Sequence, residues 1–405
     1  EEADTLTITA KSRSHPNVVS APITVTLIDE TNDHTRIALE AAREGIVLVQ
    51  NNNKALPLKN TDNVAVLGLG QMSYIKGGSG SGDVNSAYER TIMDGLLSKA
   101  RKGAFASLDQ TLADWYRNYY LNLPGASVTS DEPDYNLVKP MIEAAAQKSN
   151  SAAIVVISRR FGEGNDIDMN NGTNSYGLST KERELITNAL GLFDKVVVVL
   201  NISGVIDVNW IVNAENKGKK VDSILIAWNP GMEGGVAVAD VLCGDVNPSG
   251  KLTDTFVTSY NDYPTLKTYT NQGRNSWVAY EEDIFVGYRY FETFAPEKVV
   301  FPFGFGLSYT TFTITDITFS PDTQNGKINI TAKVTNTGTV PGKEVVQVYF
   351  SAPQGALPKP KMELAAFKKT KVINPGESET VSLSYKINDM ASYDDIGKTG
   401  KQAAY

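Results

Sequence analysis

The sequence predicts an α/β domain followed by an all-β domain. Two observations carry this. Between about residues 34 and 250, short wholly apolar runs alternate with helix-like segments. The runs are Val64-Ala-Val-Leu-Gly-Leu, Ala152-Ala-Ile-Val-Val-Ile, Val196-Val-Val-Val-Leu and Ile224-Leu-Ile-Ala-Trp. Runs with no polar alternation belong to strands covered on both faces. From Thr311 the hydrophobic period becomes two, with turn residues between runs, as in a β-sandwich. The chain has 405 residues, 41% of them hydrophobic, enough for two cores of this kind.

Residues 1–33 are polar. Their two alternating stretches, Thr5-Leu-Thr-Ile-Thr and Ile23-Thr-Val-Thr-Leu, read as an arm of exposed or edge strands. Asn32-Asp33 offers a helix N-cap, and Ile37, Leu39, Ala41, Ala42, Ile46, Leu48 and Val49 predict a helix to about Gln50. Helical segments near 91–101, 137–148, 180–193 and 232–243 lie between or after the four apolar runs. That alternation implies right-handed crossovers and a mostly parallel sheet. The turn-rich Gly244-Asp-Val-Asn-Pro-Ser-Gly250 closes this domain, placed at 34–250. Residues 251–310 are irregular and rich in aromatics, from Tyr280 to Tyr309, and read as a linker packed between domains. In 311–405, five strands are expected around Phe312, Ile328, Val345, Leu364 and Thr380, with turns at Asn325-Gly326, Asn336-Thr-Gly338 and Asn374-Pro-Gly376. A seven-strand sandwich needs more, so this last domain reads as cut short.

Charge and residue counts narrow the chemistry. With 38 basic and 46 acidic side chains the net charge is −8, which argues against nucleic acid and gives no basic patch for an anionic membrane. A single cysteine, Cys243, excludes an intrachain disulfide and disfavours a Cys-based zinc site. Two histidines, His15 and His34, nearly exclude a three-histidine metal site and leave little room for a Ser-His-Asp triad. The expected chemistry therefore rests on carboxylates, with no metal and no cofactor. The acidic Glu1-Glu2-Ala3-Asp4 start has no apolar leader region, and no apolar run reaches the roughly 20 residues that span a bilayer. With the free cysteine this leans towards a cytoplasmic location. A leader already removed, giving a secreted or periplasmic protein, stays open. Three Asn-x-Ser/Thr sequons, at Asn171, Asn201 and Asn329, read as chance, since Asn201 follows a core-type strand.

Open parallel sheets bind ligands beyond the carboxyl ends of their strands. Four strands here end in unusual loops: Gly70 to Asp83, Arg159 to Asp168, Asn201-Ile-Ser203 and Asn229 to Gly235. If the strands are parallel, all four share one edge. The Gly77–Gly82 stretch could cradle a ligand through backbone N–H groups or be a plain structural loop. It has no P-loop lysine, Gly68-x-Gly70-x-x-Ser73 lacks the third glycine of a dinucleotide fingerprint, and no nucleophile elbow runs through Ser79 or Ser81. Glu163 stands between two glycines, with arginines before it and aspartates after it. It reads either as a general acid, which needs a raised pKa, or as part of a solvated acidic loop binding a cation through Asp166 and Asp168. Glu233 reads as a carboxylate at a helix N-terminus. His34 reads as a first-turn polar residue and Cys243 as a small core residue. Trp115-Tyr-Arg-Asn-Tyr-Tyr120 reads as core or as a sugar-stacking cluster.

Several strings, in order, resemble the family-three glycoside hydrolases, particularly bacterial β-glucosidases. They are Ile75-Lys-Gly-Gly-Ser-Gly-Ser-Gly-Asp83, Ile157-Ser-Arg-Arg-Phe-Gly-Glu-Gly-Asn-Asp166, Asn229-Pro-Gly-Met-Glu-Gly-Gly235, Gly244-Asp-Val-Asn-Pro-Ser-Gly-Lys-Leu252, Tyr280-Glu-Glu-Asp-Ile-Phe-Val-Gly-Tyr-Arg-Tyr290 and Phe301-Pro-Phe-Gly-Phe-Gly-Leu-Ser-Tyr309. Val334-Thr-Asn-Thr-Gly338 and Pro341-Gly-Lys-Glu-Val345 resemble the family's fibronectin-III-like domain. The resemblance covers about residues 34–395. It implies an (α/β)6 sandwich followed by a truncated fibronectin-III-like β-sandwich. It implies that Glu163 is the acid/base and that Ser81 touches the sugar at the −1 subsite. It implies a β-glucoside or oligosaccharide substrate and a setting of cellulose degradation.

The departure from the family is large. Its nucleophile is an aspartate in a Ser-Asp-Trp string on a (β/α)8 barrel, and Asp114-Trp115 here follows alanine in a helix-like segment. The barrel's sugar-binding Lys-His pair and the closing sandwich strand are also missing. Some members place the barrel after the sandwich. The expectation is an N-terminal fragment of such a permuted enzyme, partnered by a second polypeptide carrying the (β/α)8 barrel and the last sandwich strands. The reading from another class is a non-catalytic carbohydrate-binding or scaffolding fragment. A nucleotide-binding protein is disfavoured by the missing P-loop lysine.

Overall fold

The computed structural model describes residues 5–8, 23–26, 33–127, 130–163, 167–169, 172, 174–266, 280–395 and 397–400. Strands β1 (Thr5–Ile8) and β2 (Ile23–Thr26) pair antiparallel in the N-terminal arm. Then come α1 (Asp33–Gly45), β3 (Val47–Asn51), β4 (Asn63–Leu67), α2 (Ile92–Arg101), β5 (Ser107–Leu108), α3 (Gln110–Asn122) and α4 (Tyr135–Ala146). These lead to β6 (Ser151–Arg159), α5 (Thr180–Leu192), β7 (Lys195–Ile202), α6 (Val208–Asn213), the hairpin β8 (Glu215–Asn216) and β9 (Lys219–Lys220), β10 (Ser223–Ile226) and α7 (Gly234–Cys243). The helix expected to reach Gln50 stops at Gly45. Ile46 to Val49 are all buried, which a one-faced helix could not achieve, and β3 pairs antiparallel with β10.

The sheet order is β3-β10-β7-β6-β4-β5, and every pairing except β3 with β10 is parallel. Residues of β6 alternate between two apolar layers. Ala153, Val155 and Ile157 pack with α3, α4, α5 and α6, through Leu112, Ile142, Ile186 and Ile211. Ala152, Ile154 and Val156 pack with α1, α2 and α7, through Leu39, Leu96 and Val238. A sheet covered by helices on both faces explains runs with no polar alternation. Two helices start in capping boxes, Thr91 with Asp94 and Ser179 with Glu182.

The following segment carries β11 (Phe256–Val257), α8 (Tyr288–Phe294) and β12 (Val299–Phe301), with β11 paired to β12. It folds back on the first domain: Leu307 N–H donates to Leu48 O at 2.7 Å, and Phe256 is buried in the core. The β domain has β13 (Phe312–Asp322), β14 (Lys327–Asn336), β15 (Val345–Phe350), β16 (Glu363–Lys369) and β17 (Ser378–Lys386). The sheet β13-β14-β17 faces β15-β16 across Ala332, Val334, Val346, Val381 and Leu383. The fold is thus an (α/β)6-type sandwich followed by a small all-β sandwich. Among the described residues no helix is long and apolar enough to cross a membrane.

Candidate active site

Because β4, β6, β7 and β10 run parallel, their carboxyl ends meet along one edge. At the end of β4 the chain turns at Gly68, whose φ is +95° and where a Cβ would lie 2.5 Å from Val156 O, so the turn needs glycine. The loop beyond it ends in a short helical turn, Gly80–Gly82, that carries Ser81. Glu163 lies four residues past β6. The two loops run side by side: Ser79 and Gly162 form a parallel bridge, and Ser79 N–H donates to Phe161 O at 3.4 Å. A Cβ on Gly162 would come within 1.9 Å of Ser79 Oγ. The exposed Glu163 carboxylate accepts the Ser81 N–H at 3.0 Å and the Ser81 hydroxyl. These two donors, the hydroxyl first, hold the Glu163 carboxyl below its usual value.

Buried groups fix the stems of both loops. Arg159, 1% exposed, donates to both Glu182 oxygens at 2.7 and 2.6 Å, and to the carbonyls of Ser175 and Gly177. Glu182 also receives the Ser179 N–H, so one carboxylate caps α5 and anchors the end of β6. Arg160 reaches Asp83 at 2.5 Å and Gly78 O at 3.3 Å, on the loop that carries Ser81. Asn201, at the end of β7, accepts the Ile75 N–H at 2.7 Å and donates to Ile75 O at 2.8 Å and Trp228 O at 2.7 Å. The fourth loop returns the contact, with Gly231 N–H donating to Lys76 O at 3.0 Å and Tyr74 Oη to Gly231 O at 2.7 Å.

The structure brings Ser81 and Glu163 together, as their shared sheet edge requires. In this chain alone Glu163 is exposed and doubly hydrogen-bonded, so its pKa lies low here. Glu233 stands at the start of α7 without capping it; its buried carboxylate accepts Tyr88 Oη at 2.5 Å and faces Arg90 Nε at 3.6 Å. Asp168 pairs through its backbone with Ser175, while Asp166 falls outside the described residues. Trp115 stacks on Tyr119 at 5.3 Å and packs against the core. Cys243 is partly buried, and burial pushes its thiol up to about 12. Among the described residues no group of three or more His, Cys, Asp or Glu side chains could hold a metal ion. The sequence placed Arg159 and Asn201 in strand-end loops without showing that they brace the edge, and it missed the buried Glu132, which accepts the Leu69 N–H at 2.7 Å. The signal for Asn201 was a polar residue closing an apolar strand; Glu132 gave none.

Residues 46–309 match the glycosyl hydrolase family 3 C-terminal domain. The chain belongs to glycosyl hydrolase family 3. Residues 344–400 of this family 3 chain match the fibronectin type III-like domain. It is 37% identical over 411 residues to beta-glucosidase A of Butyrivibrio fibrisolvens, covering 93% of the chain and 48% of that protein. A beta-glucosidase of Ruminococcus albus is 39% identical over 382 residues, covering 92% of the chain and 38% of that protein. Among solved structures, a beta-glucosidase from Paenibacillus barengoltzii superposes with a TM-score of 0.82 at 39% identity, covering 92% of this chain and 40% of that one. Beta-glucosidase 3B from Thermotoga neapolitana, in complex with glucose, gives 0.78 at 38% identity, covering 89% and 50%. The family 3 chain thus spans about half, or less, of the length of these relatives.

Proposed function

We propose that this chain supplies the acid/base of a retaining β-glycosidase acting on terminal β-D-glucosyl residues. The carrying observation is the Ser81–Glu163 pair, held by braced loops at the strand-end edge of the sheet. The names of the relatives, beta-glucosidases, support the substrate class.

In this reading Glu163 protonates the leaving oxygen and then activates water, while an aspartate about 5–5.5 Å away forms the glycosyl-enzyme. That aspartate belongs to a (β/α)8 barrel outside these residues, on a second polypeptide or on further sequence. The low pKa of Glu163 suits the open site only. When the Ser81 hydroxyl turns to a sugar hydroxyl and the barrel covers the edge, one stabilising donor leaves and desolvation begins; both push the carboxyl up, as a general acid needs. The mechanism calls for no metal or organic cofactor.

Native mass spectrometry of the purified protein tests the partnership, a barrel-sized second chain being the expected companion. In the assembled enzyme, Glu163→Gln is expected to cut hydrolysis of alkyl glucosides by about 10²–10⁴-fold. Glycosylation by aryl glucosides with good leaving groups should be nearly retained. Equal loss on both substrate classes overturns the acid role. Sugar binding by the complete assembly without hydrolysis favours a binding or scaffolding role instead.

A further inference from the structure

The loop that carries Ser81 is rooted on a buried acid. Glu132 lies between α3 and α4 and is 6% exposed. One of its carboxyl oxygens accepts the N–H of Leu69, the first residue of that loop after Gly68, at 2.7 Å. The other oxygen is fully buried and has no partner among the described residues. The backbone around it is pinned to the front of α5: Lys181 donates to Glu132 O at 2.8 Å, and the Ser179 hydroxyl to Asp131 at 3.1 Å. An unpartnered oxygen in such a place is tolerable on a neutral acid and costly on a carboxylate.

We propose that Glu132 is a proton-dependent positioning residue for the proposed sugar loop: neutral, it fastens Leu69, and its ionisation slackens the loop that presents Ser81 to Glu163. The groups facing it come from every neighbouring element. Glu182 of α5 and the adjacent Asp131 oppose its negative charge, while Arg159 of β6 and the Leu69 N–H favour it. Tyr116 of α3 is wholly buried, and its phenol is pushed up first by burial and then by Glu132, with Tyr135 of α4 a smaller influence. Burial outweighs the rest and lifts the Glu132 carboxyl to about 8. The folded-state value therefore lies above the unfolded one. The stability of the protonated arrangement is full below the ordinary carboxylate range and is lost as pH rises through about 8.

The functional consequence rests on the glycosidase reading, but the test does not use activity. Amide hydrogen exchange is measured on the full chain, with peptides spanning residues 69–83 normalised to β6 and to the intrinsic pH dependence. Wild-type protection in 69–83 is expected to fall on the order of tenfold between about pH 6.5 and about pH 9. Glu132→Gln, which keeps an acceptor for Leu69 and cannot ionise, should show no such step. A flat wild-type profile, or the same step in the variant, overturns the proposal. Should the variant fail to fold, infrared titration of the wild type decides. A buried protonated-carboxyl band that disappears near pH 8 supports Glu132 as the switch, and absence of the band above pH 6.5 overturns it. An assembled enzyme, barrel included, that lacks hydrolytic activity while the chain still shows the step sinks the glycosidase reading and leaves the loop switch standing.

Discussion

Ser81 gives Glu163 two hydrogen bonds of different character. Its amide is fixed by the Gly80–Gly82 turn, whereas its hydroxyl is free to rotate towards another acceptor. Removing the hydroxyl should therefore raise the Glu163 pKa towards the usual carboxylate value while leaving the amide contribution. Ser81→Ala is the variant, and an NMR titration of the Glu163 carboxyl is the measurement; an unchanged or lower value contradicts this account. The sign for stability follows. A lowered folded-state pKa stabilises above the unfolded value and is lost as pH falls through the folded one, but Glu163 is exposed and the effect on folding should be negligible. At this scale the sequence marked both partners, but their roles came only from the family resemblance. Glu163 sits in a short string of glycine and charge, and Ser81 stood out through its family-like loop. Asn201 was marked at a strand end, but its bracing role was not legible, because its partners at Ile75 and Trp228 lie 126 and 27 positions away and only the folded sheet edge brings them in reach.

At the level of elements, the two loops behave as one piece because their backbones touch at Ser79 and Gly162. A methyl group at 162 would meet Ser79 Oγ at 1.9 Å and its backbone N and O at 2.6 and 2.7 Å, so one strand of that contact must move. Gly162→Ala should separate Ser81 from Glu163, return the Glu163 pKa to the ordinary range and lower activity of the assembled enzyme on the order of 10²-fold. Retention of both the low pKa and the activity argues against loop coupling. The elements were legible where pattern and packing agree. α2, α4, α5 and α7 fall close to the segments expected from periodicity, and four of the six sheet strands were plain apolar runs. β5, with two residues, is too short to leave a pattern. β3 was hidden because apolar spacing continues from α1 across Gly45, and the switch to strand is dictated by pairing with β10 more than 170 positions later.

Across the whole molecule, charge joins the two domains. Glu44 at the end of α1 pairs with Lys343 and, at 2.6 Å, with Lys369, whose ammonium also reaches Glu44 O at 3.0 Å and Ser249 Oγ at 3.1 Å. Burial alone would raise Glu44, but the two lysines outweigh it and the carboxyl lies below its ordinary value. Its contribution is thus present above the unfolded value and lost as pH falls through the folded one. Lys369→Met should weaken domain docking by about 1–2 kcal/mol and split a single calorimetric transition into two at neutral pH. Acid below the ordinary carboxylate range, where Glu44 itself takes up a proton, should do the same to the wild type; one unsplit transition in both cases contradicts the coupling. The web along the sheet edge has its own reach. Asn201 touches the segments after β4 and β10, Arg160 touches Asp83, and Gly231 touches Lys76, so four strand-end segments from distant parts of the gene are tied by each other's hydrogen bonds. Recombination that swaps one of them alone would strand partners on the others. Diversification of this scaffold should therefore proceed by inheriting the loops as a set, and a library built by single-loop exchange should yield mostly misassembled edges.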